Sequence, residues 1–306
     1  IVGEIPPPIW LTTLSIFFAV AIDIVLLMDS FLHQTLIQMF KPKPPGPHFQ
    51  HEGFERLSYT SNDGTEMPMW YHAGEEEGVI IFLHGWTSCS HHQLERMKAL
   101  WDIGWSTVTL DLRGHGEAPP TYIFSSVQAA IDVHHAIAEL QRNGMIGEHE
   151  ELILHGHSLG GFVAQRVVKT WETDTRARPR VVLESPLIDL PLFIVHKAPW
   201  LRMMLPLILS RIARLTQIVE PTSPPWSPAS FGPPNWGSFQ QGKVLYIQAS
   251  IDQTLGLAQS EAAQRAFPWL NVHRIANLKH SARGANPERD AIIISWINNH
   301  SDSEPM

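Results

Sequence analysis

The sequence predicts an α/β protein: a mostly parallel, eight-stranded sheet flanked by helices, preceded by an apolar helix and interrupted by one long helical insertion. Three observations predict it. Short apolar, β-rich runs alternate with helical patterns along most of the chain, the order that builds β-α-β units with right-handed crossovers. Those runs are continuously apolar, as strands covered on both faces require. The chain has 306 residues, of which 44% are hydrophobic and 17% charged, enough apolar surface to offset the entropy of ordering a large core.

The first element is the apolar run of residues 9–28, IWLTTLSIFFAVAIDIVLLM, whose only charge is Asp23. As a helix it would be about 30 Å long, the thickness of bilayer hydrocarbon, and it is read first as a membrane anchor. Two alternatives stand beside that reading. A cleaved secretory leader could use Ala19-Val20-Ala21, although no Lys or Arg precedes the run. A helix packed on the rest of the protein would accommodate Asp23, which costs about 2.5–3.5 kcal/mol at a helix centre in a bilayer. Lys41 and Lys43 follow the run and only Glu4 precedes it, a bias that puts the bulk of the chain on the cytoplasmic side, with an exported protein as the alternative. The repeated prolines of residues 41–47 forbid helix and favour an extended spacer. The domain boundaries follow: residues 1–40 apolar helix, 41–53 linker, 54–186 and 243–300 core, 187–242 insertion, 301–306 tail.

In the core, residues 54–60 and 67–72 form a hairpin around Asn62-Asp63-Gly64. Strands follow at 79–83, 106–110, 151–155, 180–183, 243–248 and 271–275. Helices fit at 92–102, 126–143, 159–171, 257–267 and 286–300. In such a sheet ligands sit beyond the carboxyl ends of the strands.

Charge and cysteine count remove several classes of function. Lys plus Arg is 22 against 30 for Asp plus Glu, a net charge of −8, the wrong sign for a protein that tracks phosphates, so nucleic acid is not expected as a partner. The single cysteine, Cys89, excludes an internal disulfide and any Cys-based metal cage. His155 and His157 have no third ligand at zinc-like spacing, and no cofactor is expected.

At one of the predicted strand ends, Leu152-Ile153-Leu154-His155 runs into Gly156-His157-Ser158-Leu159-Gly160-Gly161 and then a helix. A Gly-x-Ser-x-Gly turn between strand and helix holds its serine in strained geometry and aims the hydroxyl at solvent by the helix N-terminus, and any side chain at the flanking positions would collide with strand or helix. With these residues on the page, the chain from about Phe54 to His300 resembles the α/β-hydrolase superfamily, closest to its monoacylglycerol-lipase-like serine esterases. The resemblance implies the α/β-hydrolase fold, a catalytic serine at Ser158, and an acid and a histidine following it in that order. It also implies that His84-Gly85-Trp86-Thr87, after the strand 79–83, is the oxyanion loop, with the Trp86 and Leu159 amides as donors and His84 bracing the loop.

A hydroxyl needs a base to take its proton. Of 17 histidines, His280 follows the last strand and precedes the last helix, the family's usual place, whereas His134, His135, His273 and His300 fall in helices, a strand or the chain end. The acid is expected at Asp252, just beyond the strand 243–248, with Glu184 as its rival and Asp111 as a loop-shaping residue. Cys89 has no turn of this kind around it and is expected to be a buried small hydrophobe.

Residues 187–242 separate neighbouring strands by far more than the roughly 2 to 6 residues of an ordinary αβ connection. They hold apolar, Met-rich stretches at 192–195 and 200–209 and a Pro-, Ser- and Trp-rich loop at 221–237, and they read as a cap over a site for apolar substrates. The sequence therefore predicts a serine hydrolase of carboxylic esters, drawn from acyl or lipid-like substrates. The alternatives are a peptidase or amidase with the same apparatus, for which Glu220 is the one cap carboxylate near the loop, and a silent, membrane-tethered interaction module.

Overall fold

The computed structural model describes residues 9–42, 46–76, 78–147, 150–171, 177–219, 231–232 and 239–301. The loop at 221–237 and Glu220 lie almost entirely outside the described residues, as do residues 43–45 of the spacer. The chain divides into two compact units, Ile1–Lys41 and Pro42–Met306.

The first unit is one helix, α1 (Ile9–Phe40). It continues well past residue 28 because the sequence through Phe40 offers neither Pro nor Gly to stop it. None of its most apolar stretch is buried, and its length suffices to cross a bilayer.

The second unit is built on eight strands: β1 (Glu55–Thr60), β2 (Glu66–His72), β3 (Gly78–Leu83), β4 (Ser106–Leu110), β5 (Glu151–His157), β6 (Arg180–Glu184), β7 (Val244–Ala249) and β8 (Val272–Ile275). Their order across the sheet is β1-β2-β4-β3-β5-β6-β7-β8. β2 runs antiparallel to both neighbours, and every pair from β4 to β8 is parallel. Every residue of β3, β4 and β6 is buried, as continuously apolar strands require in a sheet covered on both faces. On one face Ile80, Phe82, Ile153, Val182, Leu245 and Ile247 meet Met97 and Leu100 of α2 (Leu94–Trp101) and Ile293 and Ile297 of α8 (Pro287–Ser301). The other face carries α3 (Ser126–Arg142) and α4 (Leu159–Lys169), which pack on each other. Ser125 caps α3, its hydroxyl accepting from the Gln128 amide at 3.3 Å.

Two elements differ from the sequence expectation for local reasons. Residues 90–93 form a 3-10 turn ahead of α2, because the Asp111 carboxylate accepts from the Ser90 amide at 2.6 Å and ties that turn to β4. β5 runs on to His157 because His157 still pairs with Glu184 of β6. Between β6 and β7 lie α5 (Leu190–Lys197), a 3-10 turn (Pro199–Met204) and α6 (Leu205–Val219). α7 (Ala258–Ala266) joins β7 to β8.

Candidate active site

The turn from β5 into α4 places Ser158 at φ +53°, ψ −115°, a left-handed backbone that costs a serine on the order of 1–3 kcal/mol. Four main-chain bonds hold it there. The Ser158 amide donates to the Glu184 carbonyl at 3.1 Å, and the Ser158 carbonyl accepts from Gly161, Leu187 and Phe162 at 3.1, 2.9 and 3.4 Å. The flanking glycines are there for space. A Cβ at Gly160 would collide with the Leu83 carbonyl, and one at Gly156 with the backbone of Gly160 and Gly161. The strand and helix can therefore cross at this distance only if both positions lack side chains.

The strained turn brings together residues far apart in sequence. The Ser158 Oγ stands 3.0 Å from His280 Nε2, and His280 Nδ1 stands 2.8 Å from Asp252 Oδ2. All three are buried, none more than 8% exposed. The other oxygen of Asp252 accepts from the Thr254 and Leu255 amides, each at 2.9 Å, and Oδ2 also accepts from Gln248 Nε2 at 3.0 Å. Burial pushes this carboxyl upward, but the bond and charge of His280 with the Leu255 and Gln248 donors outweigh it and hold Asp252 below its usual value.

The Gly85–Trp86 loop lies directly over the serine: a Cβ on Gly85 would stand 3.1 Å from that of Ser158. Among the described residues no carbonyl accepts from the Trp86 or Leu159 amides. The Leu159 amide is one of the first N–H groups of α4, which have no acceptor within the helix. His84 spans the base of this loop, Nδ1 donating to the Gly85 carbonyl and Nε2 accepting from the Leu112 amide, both at 2.9 Å. Asp111 accepts from the Ser90 and Glu117 amides at 2.6 Å each, which ties two loops together and leaves it outside the serine–histidine relay. Cys89 is buried and free.

Glu184, the rival acid, is committed elsewhere. Arg96 grips it in a two-pronged pair, Nε to Oε2 at 2.9 Å and Nη2 to Oε1 at 2.7 Å, and Arg289 stands 3.9 Å away. Burial raises the Glu184 carboxyl, but Arg96 and Arg289 hold it well below the usual range. This cluster also reaches the histidine loop: Arg96 Nη2 donates to the Ala282 carbonyl at 3.0 Å, and His157 Nε2 donates to the carbonyl of His280 itself at 2.7 Å. Sequence reasoning missed both anchors, since partners 186 and 123 residues apart leave no local pattern.

Three buried histidines around the site, His84, His115 and His155, carry no charge at neutral pH. Burial lowers His84 to about 4 and both His115 and His155 to about 3. His155 keeps its neutral form although it stands 3.6 Å from Glu184, because Arg96 and Arg289 already balance that carboxylate. An unfolded chain protonates these rings near 6.5. Their native pKa values are depressed, so the stability they confer is complete above about 6.5 and is lost as pH falls toward 3–4. The three together should steepen acid unfolding by up to about 4 kcal/mol per pH unit over that window. Urea titrations at pH 7, 6 and 5 measure this, and an unfolding free energy that stays flat across that range would contradict it. Among the described residues no group of three His, Cys, Asp or Glu side chains is arranged to hold a metal ion.

Known proteins resemble this chain in sequence or in fold. Protein ABHD12B of Homo sapiens is 31% identical over 129 residues, 40% of this chain and 33% of that protein. Lysophosphatidylserine lipase ABHD12 of Mus musculus is 29% identical over 127 residues, 40% of this chain and 30% of that protein. The matches thus span about a third of these relatives' length. Among solved structures, the esterase Pf2001 of Pyrococcus furiosus superposes with a TM-score of 0.61 at 17% identity, over 85% of this chain and 97% of that one, a likeness of fold. The sequence profile described as the Alpha/beta hydrolase family matches residues 80–295, from β3 to α8 and through the whole serine–histidine–aspartate relay. This chain belongs to the alpha/beta hydrolase family.

Proposed function

We propose that the chain is a serine hydrolase of carboxylic esters, acting on apolar acyl or lipid-like substrates through an acyl-enzyme. The observation that carries this reading is the unbroken relay from Ser158 Oγ through His280 to Asp252, at 3.0 and 2.8 Å. Ser158 Oγ attacks the acyl carbonyl while His280 Nε2 takes its proton. Asp252 accepts from Nδ1–H, which fixes the imidazole tautomer and supports the imidazolium as it forms. The negative charge that develops on the carbonyl oxygen meets the Trp86 and Leu159 amides, two dipoles each worth about 10² to 10³ in turnover in a comparable site. His280 then returns the proton to the leaving alcohol. A water molecule, activated by the same histidine, attacks the acyl-serine and releases the acid and Ser158.

The lipid-like side of the reading rests on three supports. α1 is long and apolar enough to cross a bilayer, the β6–β7 insertion is rich in apolar residues, and a lysophosphatidylserine lipase is among the relatives. On this reading α1 associates the chain with a membrane, the Lys41 side facing the cytoplasm.

A fluorophosphonate probe on the purified chain tests the chemistry: one adduct per chain, mapped to Ser158, is expected, and a folded but unlabelled protein would leave a silent module instead. An ester series tests the substrate class. kcat/KM should rise with acyl length, by up to about fourfold per methylene in an apolar slot. Efficient turnover of short esters with none beyond a chain of about eight carbons would overturn the lipid-like assignment.

A further inference from the structure

The insertion between β6 and β7 has two faces. On α6, Ile208, Leu209, Ile212 and Leu215 are buried, an inward stripe at helical spacing that satisfies its packing. Outside that stripe the insertion leaves large apolar side chains open to solvent, in the preceding 3-10 turn and along the flank of α6: Trp200 is 75% exposed, Met203 94%, Leu207 54% and Ile218 73%. Side chains this large and this open, close together in sequence, mark a surface that a partner can cover.

Along residues 190–219, the stretch that carries them, every formal charge is basic. Residues 190–219 contain Lys197, Arg202, Arg211 and Arg214 and no Asp or Glu, in a chain with a net charge of −8. Lys197, Arg202 and Arg214 are exposed alongside the apolar residues. The face is also joined to the relay. His196 Nε2 and Lys197 Nζ both donate to the Gln253 carbonyl at 3.2 Å, one residue beyond Asp252. On the other side of Asp252, Ile251 is 74% exposed.

We propose that this face docks on the anionic surface of a lipid bilayer. Trp200, Met203 and Leu207 enter the boundary between headgroups and acyl chains, and Lys197, Arg202 and Arg214 meet the lipid phosphates. A second copy of the chain fits this face less well, because a two-fold contact would set the basic residues of one copy against those of the other. Docking brings the Ile251–Asp252 loop, which carries the acid of the relay, toward the depth where acyl esters reside. The inference deepens the ester-hydrolase reading and rests on it for the use of the surface, and on α1 for keeping the chain at a membrane.

The test uses the full chain with Cys89→Ala and Met203→Cys, an NBD fluorophore on the new thiol, reconstituted in phosphatidylcholine vesicles with or without phosphatidylglycerol. On anionic vesicles the NBD emission should shift to the blue and be quenched by lipids spin-labelled near the headgroup, and high salt should reverse both. Each basic residue near such a surface is worth roughly fivefold in binding, so Arg202→Glu with Arg214→Glu should lower the docked-to-undocked ratio at least about twentyfold. The same pair of substitutions should leave fluorophosphonate labelling and turnover of a soluble short-chain ester unchanged, and cut turnover of a long-chain ester embedded in anionic vesicles.

Three results would overturn the proposal: emission equal to that in buffer on every vesicle; a blue shift that follows protein density without lipid quenching, the mark of a second copy; or an equal loss on both esters, the mark of damage to the fold or the acyl slot. A wild-type chain that takes no fluorophosphonate would refute the hydrolase reading, while the NBD signal would still decide docking.

Discussion

Ser158→Ala is expected to lower kcat by about 10⁶-fold in a protein that remains folded. The size follows from what is lost. On the proposed mechanism no acyl-enzyme forms without Oγ, and only binding and the Trp86 and Leu159 amides would remain to assist direct attack by water, a residual of about 10³ to 10⁴ over solution. The fold survives because the turn is held by main-chain bonds to Glu184, Gly161 and Leu187 that alanine keeps, and alanine meets the same steric cost at φ +53° as serine. Ser158→Gly separates chemistry from strain. It should be as inactive, yet glycine occupies this backbone freely, so its unfolding free energy should rise by about 1 kcal/mol or more over that of Ser158→Ala. Active-site-titrated kinetics and urea unfolding on the three proteins measure both effects. A glycine variant no more stable than the alanine one would mean that the elbow stores no strain, and retention of turnover by either would place the nucleophile elsewhere.

How much of this was legible in the sequence depended on how local the cause was. The elbow was legible because its requirement lies within five consecutive residues: two glycines where Cβ atoms would strike Leu83 and Gly161, and a serine between them. The sheet was legible because runs such as Val79–Leu83 are apolar at every position, which only two-sided burial explains. The extra residues of β5 were not, since His157 is held in the ladder by pairing with Glu184, a property of its neighbour rather than of its own sequence. The resemblance supplied the candidates His280 and Asp252 by their order along the chain. What no pattern could supply was the support behind them. Arg96 lies in an ordinary amphipathic helix, and its two-pronged grip on a glutamate 88 residues away becomes visible only when α2 is laid against the end of β6. The same holds for His157, which looks like a flanking residue of the elbow and is bonded to the carbonyl of His280.

Two carboxylates lie near the site, and two substitutions should give opposite signatures. Asp252→Asn is expected to lower kcat by about 10⁴-fold with little change in KM, because an amide can present an N–H to His280 Nδ1 and favour the tautomer whose Nε2 cannot accept the serine proton. Stability should change less, since the Thr254 and Leu255 amides still find the remaining amide oxygen and only the Gln248 donor loses the acceptor it shared with His280. Glu184→Gln should do the reverse. It leaves Arg96 without its carboxylate at a site where both side chains are at most 2% exposed, although Arg289 keeps its pair with Asp290 at 2.6 Å, and breaking a buried pair in this way costs about 3–5 kcal/mol. Its kcat per titrated site should stay close to wild type, with any loss confined to the fraction of folded protein. That outcome would assign Glu184 to holding the histidine loop, through Arg96 and the Ala282 carbonyl, and Asp252 to the reaction itself. If instead Glu184→Gln removed four orders of magnitude per active site while Asp252→Asn removed little, the acid of the relay would be Glu184, and the 2.8 Å bond between His280 and Asp252 would belong to a resting arrangement that the substrate reorganises.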